Sequence, residues 1–190
     1  NILHLFASMG YNLSNKNICN SIVSTLSTTK RLDSMRCSFD LEDGLTPLAE
    51  ACKNNSPLFV LKLLVDPKII NKPCKIGKTP LHYAAEQMIS SEAMQVLLSV
   101  DGGTKSLATI DNNGKIPLSY IAEYNMKSLD SKDDVKEKKI DAQSHLERCM
   151  LLFSNTPDNA FDAVENNPLG IVKECRTNQK IREWAKTIGT

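Results

Sequence analysis

One nine-residue pattern recurs along this chain, and a chain that repeats itself has to stack its copies. Gly44-Leu-Thr-Pro-Leu-Ala-Glu-Ala-Cys52, Gly77-Lys-Thr-Pro-Leu-His-Tyr-Ala-Ala85 and Gly114-Lys-Ile-Pro-Leu-Ser-Tyr-Ile-Ala122 align without gaps. Asn1-Ile-Leu-His-Leu-Phe-Ala7 is a fourth copy without the Gly-x-Thr-Pro lead. The anchoring leucines Leu3, Leu48, Leu81 and Leu118 lie 45, 33 and 37 residues apart. A unit of about 33 residues with two length variants accounts for those gaps. So short a unit cannot bury its own apolar face and needs a neighbour to cover it.

Each unit reads as turn, helix, loop, helix. The glycine suits a tight turn that requires positive φ. Thr46 and Thr79 sit where a helix N-cap oxygen is wanted, and Pro47, Pro80 and Pro117 take the first helical position, where a missing N–H costs nothing. Ile116 replaces the threonine in the fourth unit, which loses that cap. Leu48, Ala51 and Cys52 then share one face, as do Leu81, Ala84 and Ala85, and their small side chains permit close helix approach. The spacing predicts second helices over Pro57–Val65 (Val60, Leu63, Leu64), Ser91–Val100 (Met94, Leu97, Leu98) and, in the opening unit, Ile18–Leu26.

Gly-x-Thr-Pro-Leu-His-x-Ala-Ala at 77–85, followed by a Val-Leu-Leu helix, resembles the ankyrin repeat, whose signature contains Thr-Pro-Leu-His-x-Ala. The resemblance covers residues 1–153. It implies an all-α solenoid of four to five two-helix units, each with a protruding turn, at about 1–42, 43–75, 76–112 and 113–153. The linker after the second helix is eroded at Asp66–Lys75, so irregular fingers are expected. The resemblance also implies that His82, and His4 in the opening Leu-His-Leu, hydrogen-bond between turns of adjacent units, a structural task.

Two insertions interrupt the period. The fourth unit gains residues near Lys127–Asp141, with five lysines and five acids. Its balanced charge reads as a polar excursion or a charge-laced helix extension, with a partner-specific loop as the alternative. Its second helix resumes at Ala142–Phe153, with Leu146, Met150 and Phe153 inward. The first unit has a long exit, Thr28–Glu42. Residues 154–190 read as a degenerate repeat with a helical cap: Thr156-Pro157 and Asn167-Pro168 start short helices, and Asn178–Ile188 puts Ile181, Trp184 and Ile188 on one side. A terminal cap shields the last apolar face.

Composition narrows the function. The net charge of +1 offers no global field for nucleic acid or an anionic membrane. No apolar run approaches the roughly 18 residues of a membrane span. The six cysteines form no CxxC pair and read as reduced thiols of a cytosolic protein. His145 and Cys149 are spaced for a helical ligand pair, but two ligands are not a metal site and Cys149 reads as core. Asp101-Gly-Gly-Thr-Lys105 ends a helix, whereas a phosphate loop precedes one, so it reads as a helix stop with glycine in the left-handed region. The adjacent acids Glu42-Asp43 and Asp133-Asp134 read as solvated surface. No catalytic constellation, cofactor site or metal site emerges.

The expectation is a protein-interaction scaffold. Mapped onto the family's pattern, its contacts fall at the turn tips Glu42, Asp43, Leu45, Lys75, Ile76, Lys78, Asn112, Asn113 and Lys115. They continue along the inner helices at Lys53, Asn54, Glu86, Gln87, Glu123 and Tyr124, with Tyr124 as the aromatic anchor. Lys75, Lys78 and Lys115 are read as a basic ridge for an acidic partner, or as lysines that only confer solubility. The alternative is the recognition part of a larger enzyme or effector. Lysine outnumbers arginine 18 to 5, a composition similar to arrays that intracellular bacteria deliver into host cells, and equally to eukaryotic and viral ones. The chain is expected to be monomeric alone and to act in the cytoplasm, with delivery into a host cytosol as a further expectation.

Overall fold

Seven helices and a 3-10 turn carry the fold that the computed structural model describes, over residues 2–8, 21, 24–25, 31–121, 142–157 and 160. They are α1 (Ile2–Ser8), α2 (Arg31–Arg36), α3 (Pro47–Lys53), α4 (Leu58–Leu64), α5 (Pro80–Glu86), α6 (Ser91–Ser99), the 3-10 turn Gly103–Ala108, and α7 (Ala142–Asn155). Residues 117–121 open a further helix. No strand occurs among the described residues. The predicted helices at Ile18–Leu26 and beyond Pro157, and the Lys127–Asp141 insertion, fall outside them, isolated positions apart.

The inner helices start as the cap-and-proline pattern predicts. Thr46 accepts the Ala49 N–H at 3.2 Å, with Pro47 at the first position. Both α3 and α5 then stop at a left-handed residue, Asn55 (φ 48°) and Met88 (φ 51°), 33 positions apart. In each case the next N–H reaches back to the helix: Ser56 to the Ala51 carbonyl at 2.9 Å and Ile89 to Ala84 at 3.1 Å. That geometry satisfies carbonyls the helix end would leave open.

Stacking runs along two rows. α1 packs on α3 and α3 on α5, while α4 packs on α6 and α6 on α7. Ala51, Cys52, Ala84 and Ala85 are all fully buried, and their small volume lets the inner helices approach. Leu3, Leu48 and Leu81 are at most 1% exposed, each stabilising the stack by roughly 2 kcal/mol as a buried leucine. On α4 the buried face is Val60, Leu61 and Leu64, with Leu63 half-buried. On α6 it is Ala93, Met94 and Leu97, with Leu98 half-buried. Outer helices touch neighbours on two flanks, so their apolar stripe is wider than the i, i+3, i+4 pattern used to predict it.

The exit of the first unit contains the short helix α2, which no periodicity announced. Gly102 has φ +84°, the predicted helix stop, and the chain continues directly into the 3-10 turn. A Cβ on Gly103 would lie 2.2 Å from the Leu97 carbonyl oxygen, so only glycine fits that return. Along α7, Leu152 is fully buried, Met150 nearly so and Phe153 half-buried.

Candidate protein-interaction surface

Three fingers project between the helix pairs, and each closes on itself by one backbone bond. The N–H groups of Asp40, Cys74 and Asp111 donate to the carbonyls of Leu45, Lys78 and Lys115, each at 2.9 Å. The turns carry Gly44, Gly77 and Gly114 at φ between 70° and 80°. Successive fingers are then laddered together. Lys75 N–H donates to the Asp43 carbonyl and Asn112 N–H to the Ile76 carbonyl, both at 3.1 Å. The Asn112 side-chain amide also donates to the Lys75 carbonyl at 3.2 Å. The fingers are laddered in one register despite the eroded linker, and the irregularity that remains is the first finger, which closes over one more residue than the other two.

That first residue does different work in each finger. The Asp40 carboxylate accepts the N–H groups of Glu42, Asp43, Gly44 and Leu45 at 2.6–3.2 Å. Its partial burial opposes ionisation, and the four donors outweigh that and hold its pKa below the ordinary value. Asp111 is likewise opposed by burial but lowered by the Tyr120 hydroxyl and the Lys115 and Asn113 N–H groups. Cys74 sits against the Tyr83 hydroxyl at 3.3 Å. Burial, and then these partners, push both tyrosine hydroxyls upward, so both stay neutral, and Tyr120 donates to the Asp111 carboxylate.

Two histidines couple adjacent units, as the resemblance implies. His4 Nε2 donates to the Leu45 carbonyl at 2.9 Å, and His82 Nε2 to the Lys115 carbonyl at 3.1 Å. A carbonyl only accepts, so Nε2 of His82 carries the proton and Nδ1 receives the Thr79 N–H at 3.1 Å. The equivalent positions in the second and fourth units hold Ala49 and Ser119. The Ser119 hydroxyl is buried and finds no partner among the described residues.

Two of the proposed contact residues are not at the surface. Leu45 is 1% exposed and belongs to the core, since the residue after the turn glycine already points inward. Lys78 is 7% exposed, and its ammonium pairs with Glu86 at 2.8 Å. It also lies 5.3 Å from the Tyr83 ring centre and 4.4 Å from that of Tyr120. Lys115 is half-buried with its ammonium 5.2 Å from the same Tyr120 ring. Lys75 turns back onto the Leu41 and Glu42 carbonyls. The three lysines therefore form no basic ridge. Tyrosines two positions after the anchoring leucine, Tyr83 and Tyr120, were the available signal that a cation would fold in beneath them.

Most of the remaining positions are on the surface. Glu42, Asp43, Lys75, Ile76, Asn112 and Asn113 are exposed on the fingers, and Lys53, Glu86 and Gln87 at the ends of the inner helices. Asn54 is half-buried and donates to the Glu50 carbonyl and carboxylate, which makes it a helix-end residue. The Lys53–Asp43 pair at 3.1 Å and the Lys78–Glu86 pair show that fingers and inner-helix ends border one surface. Glu123 and Tyr124 lie outside the described residues.

Sequence reasoning missed one feature. Between α1 and the second unit's finger lies an open groove of about 590 Å³, bordered by His4, Leu5, Phe39, Leu41, Glu50 and Lys53 among others. Leu5 is 67%, Phe39 49% and Leu41 97% exposed. The alternation Phe39-Asp-Leu41 ahead of the turn was the only trace of it in the sequence.

A row of helix pairs with interlocked fingers defines a helical repeat solenoid. The family model described as ankyrin repeats (3 copies) matches residues 3–106, more than half of the chain, and the chain belongs to that family. Ankyrin repeats are in general protein–protein interaction modules. No curated protein matches the sequence. No helix among the described residues is long and apolar enough to cross a membrane.

Proposed function

We propose that this chain is a non-catalytic scaffold that holds a partner protein against its finger tips and inner-helix ends. One observation carries the reading: the fingers are locked to each other by backbone bonds while their tip side chains, Glu42, Asp43, Lys75, Ile76, Asn112 and Asn113, stay exposed. Backbone laddering of Asp43, Lys75, Ile76 and Asn112 fixes the spacing of successive contacts, so little ordering cost remains when a partner docks. Side chains on rigid elements make a better recognition surface than the same side chains on mobile loops. Among the described residues the titratable groups with shifted pKa values have structural roles. Asp40, Asp111, Tyr83, Tyr120 and His82 hold a turn or a helix start, Cys52 is fully buried core, Lys53 pairs with Asp43, and Glu92 lies in a helix's first turn.

The chain is monomeric when alone and acts in the cytoplasm, and a host cell's cytosol is the further setting in which such an array would serve as an effector. The test is capture from a eukaryotic cell lysate with wild type and a Glu86→Ala/Gln87→Ala/Asn113→Ala variant, checked by circular dichroism. A partner retained by the wild type and lost by the variant supports the surface. Equal retention by both removes it.

A further inference from the structure

The groove between α1 and the second unit's finger carries more information than the rest of the surface. Its floor and lip present three apolar side chains to solvent, with Leu41 almost wholly exposed. Four carboxylates border it, those of Asp40, Glu42, Asp43 and Glu50. Among the described residues that line it, Lys53 is the one lysine, and it already pairs with Asp43. The Lys75 ammonium rests on the Leu41 and Glu42 carbonyls of the same rim and keeps its charge, so two lysines stand against four carboxylates there. The result is a small apolar slot set in net negative charge.

We propose that this groove binds an extended peptide segment of a partner protein in which Lys or Arg stands beside apolar residues. This rests on the scaffold reading above and names its ligand. The apolar side chains supply the contact that a peptide's own apolar side chains bury, and the rim selects basic neighbours. Nucleic acid and anionic lipid are disfavoured because the same rim repels phosphate. The groove's volume suits a few side chains, and the protruding Leu41 needs a ligand that wraps around it.

The experiment is panning of a phage-displayed random 12-residue peptide library against the whole chain, followed by fluorescence polarisation with the most enriched peptide. The expected enrichment is for Lys or Arg adjacent to Leu, Ile, Phe or Trp. Leu41→Asp should weaken that peptide by about tenfold or more, and Glu42→Lys should weaken it and shift a repeated panning toward acidic sequences. Both residues are exposed, so neither variant threatens the fold, and circular dichroism verifies this. Raising salt should weaken the wild type and leave Glu42→Lys less sensitive. Enrichment of acidic or uncharged peptides, no enrichment, or binding unchanged in Leu41→Asp would each overturn the proposal. If the peptide site fails while the Glu86/Gln87/Asn113 variant still loses its lysate partner, the scaffold reading stands without this groove. If both fail, the scaffold reading falls too.

Discussion

Replacing His82 tests how the array holds together. The ring is fully buried, receives the Thr79 N–H at Nδ1 and donates to the next unit's Lys115 carbonyl from Nε2. It also meets the Tyr120 ring edge-on at 6.1 Å. In His82→Ala the Thr79 N–H is left buried without an acceptor, which costs about 1–3 kcal/mol. The Lys115 carbonyl keeps the Asp111 N–H, so its loss is smaller, about 1 kcal/mol. The aromatic contact adds about 1 kcal/mol more. A total near 3–5 kcal/mol is expected, a large share of the roughly 5–15 kcal/mol that holds a typical domain together. Because repeats depend on their neighbours, the third and fourth units should part before the rest unfolds. Urea denaturation followed by far-ultraviolet circular dichroism should show a lower midpoint and a broadened transition. His82→Gln separates the two roles, since glutamine at the third helical position can still accept the Thr79 N–H. It should recover roughly half the loss. A cost below about 1 kcal/mol for His82→Ala would refute the idea that this residue couples the units.

The same residue sets an acid response whose sign is fixed. Burial is the main cause that lowers the His82 pKa below 6.5, with Lys78 adding to it. The Lys115 and Thr109 carbonyls and Asp111 work the other way. With the folded value below the unfolded one, the contribution is complete above pH 6.5 and is lost as pH falls beneath it. Stability of the wild type should therefore drop between pH 6.5 and the carboxylate range, and His82→Gln should flatten that drop. Parallel profiles would contradict the assignment of a neutral buried imidazole.

Other expectations concern the turns and the odd position of the fourth unit. Gly114→Ala meets nothing within 4 Å, so it should cost only the left-handed penalty of about 1–2 kcal/mol. Gly77→Ala places a Cβ 2.7 Å from the Asn112 side-chain oxygen and 2.8 Å from its backbone nitrogen. It should cost clearly more and raise hydrogen exchange at the Asn112 amide, whereas equal costs would argue against interlocked fingers. Ser119→Ala removes a buried hydroxyl that lacks a partner among the described residues, and thermal unfolding should show it neutral or stabilising by up to about 1 kcal/mol.

The repeat, the helix starts and the inner face were legible in the sequence because local rules determine them. A threonine cap, a proline at the first helical turn and small residues at fixed intervals act within one unit, and copying them along the chain forces stacking. The His82 bond to the next unit was legible only through family resemblance, since nothing local says where a ring nitrogen finds its acceptor. Tertiary structure alone decided which exposed-looking residues stay exposed. Lys78 and Leu45 occupy equivalent places after a turn glycine, where the chain dives beneath the next unit, so one becomes a buried cation under two tyrosines and the other becomes core. Conversely, Leu5, Phe39 and Leu41 read as ordinary apolar residues yet face solvent around a groove, because α1 and the second unit's finger leave a gap between them. Sequence period determines that units stack, and the way neighbouring units pack determines which side chains remain for a partner.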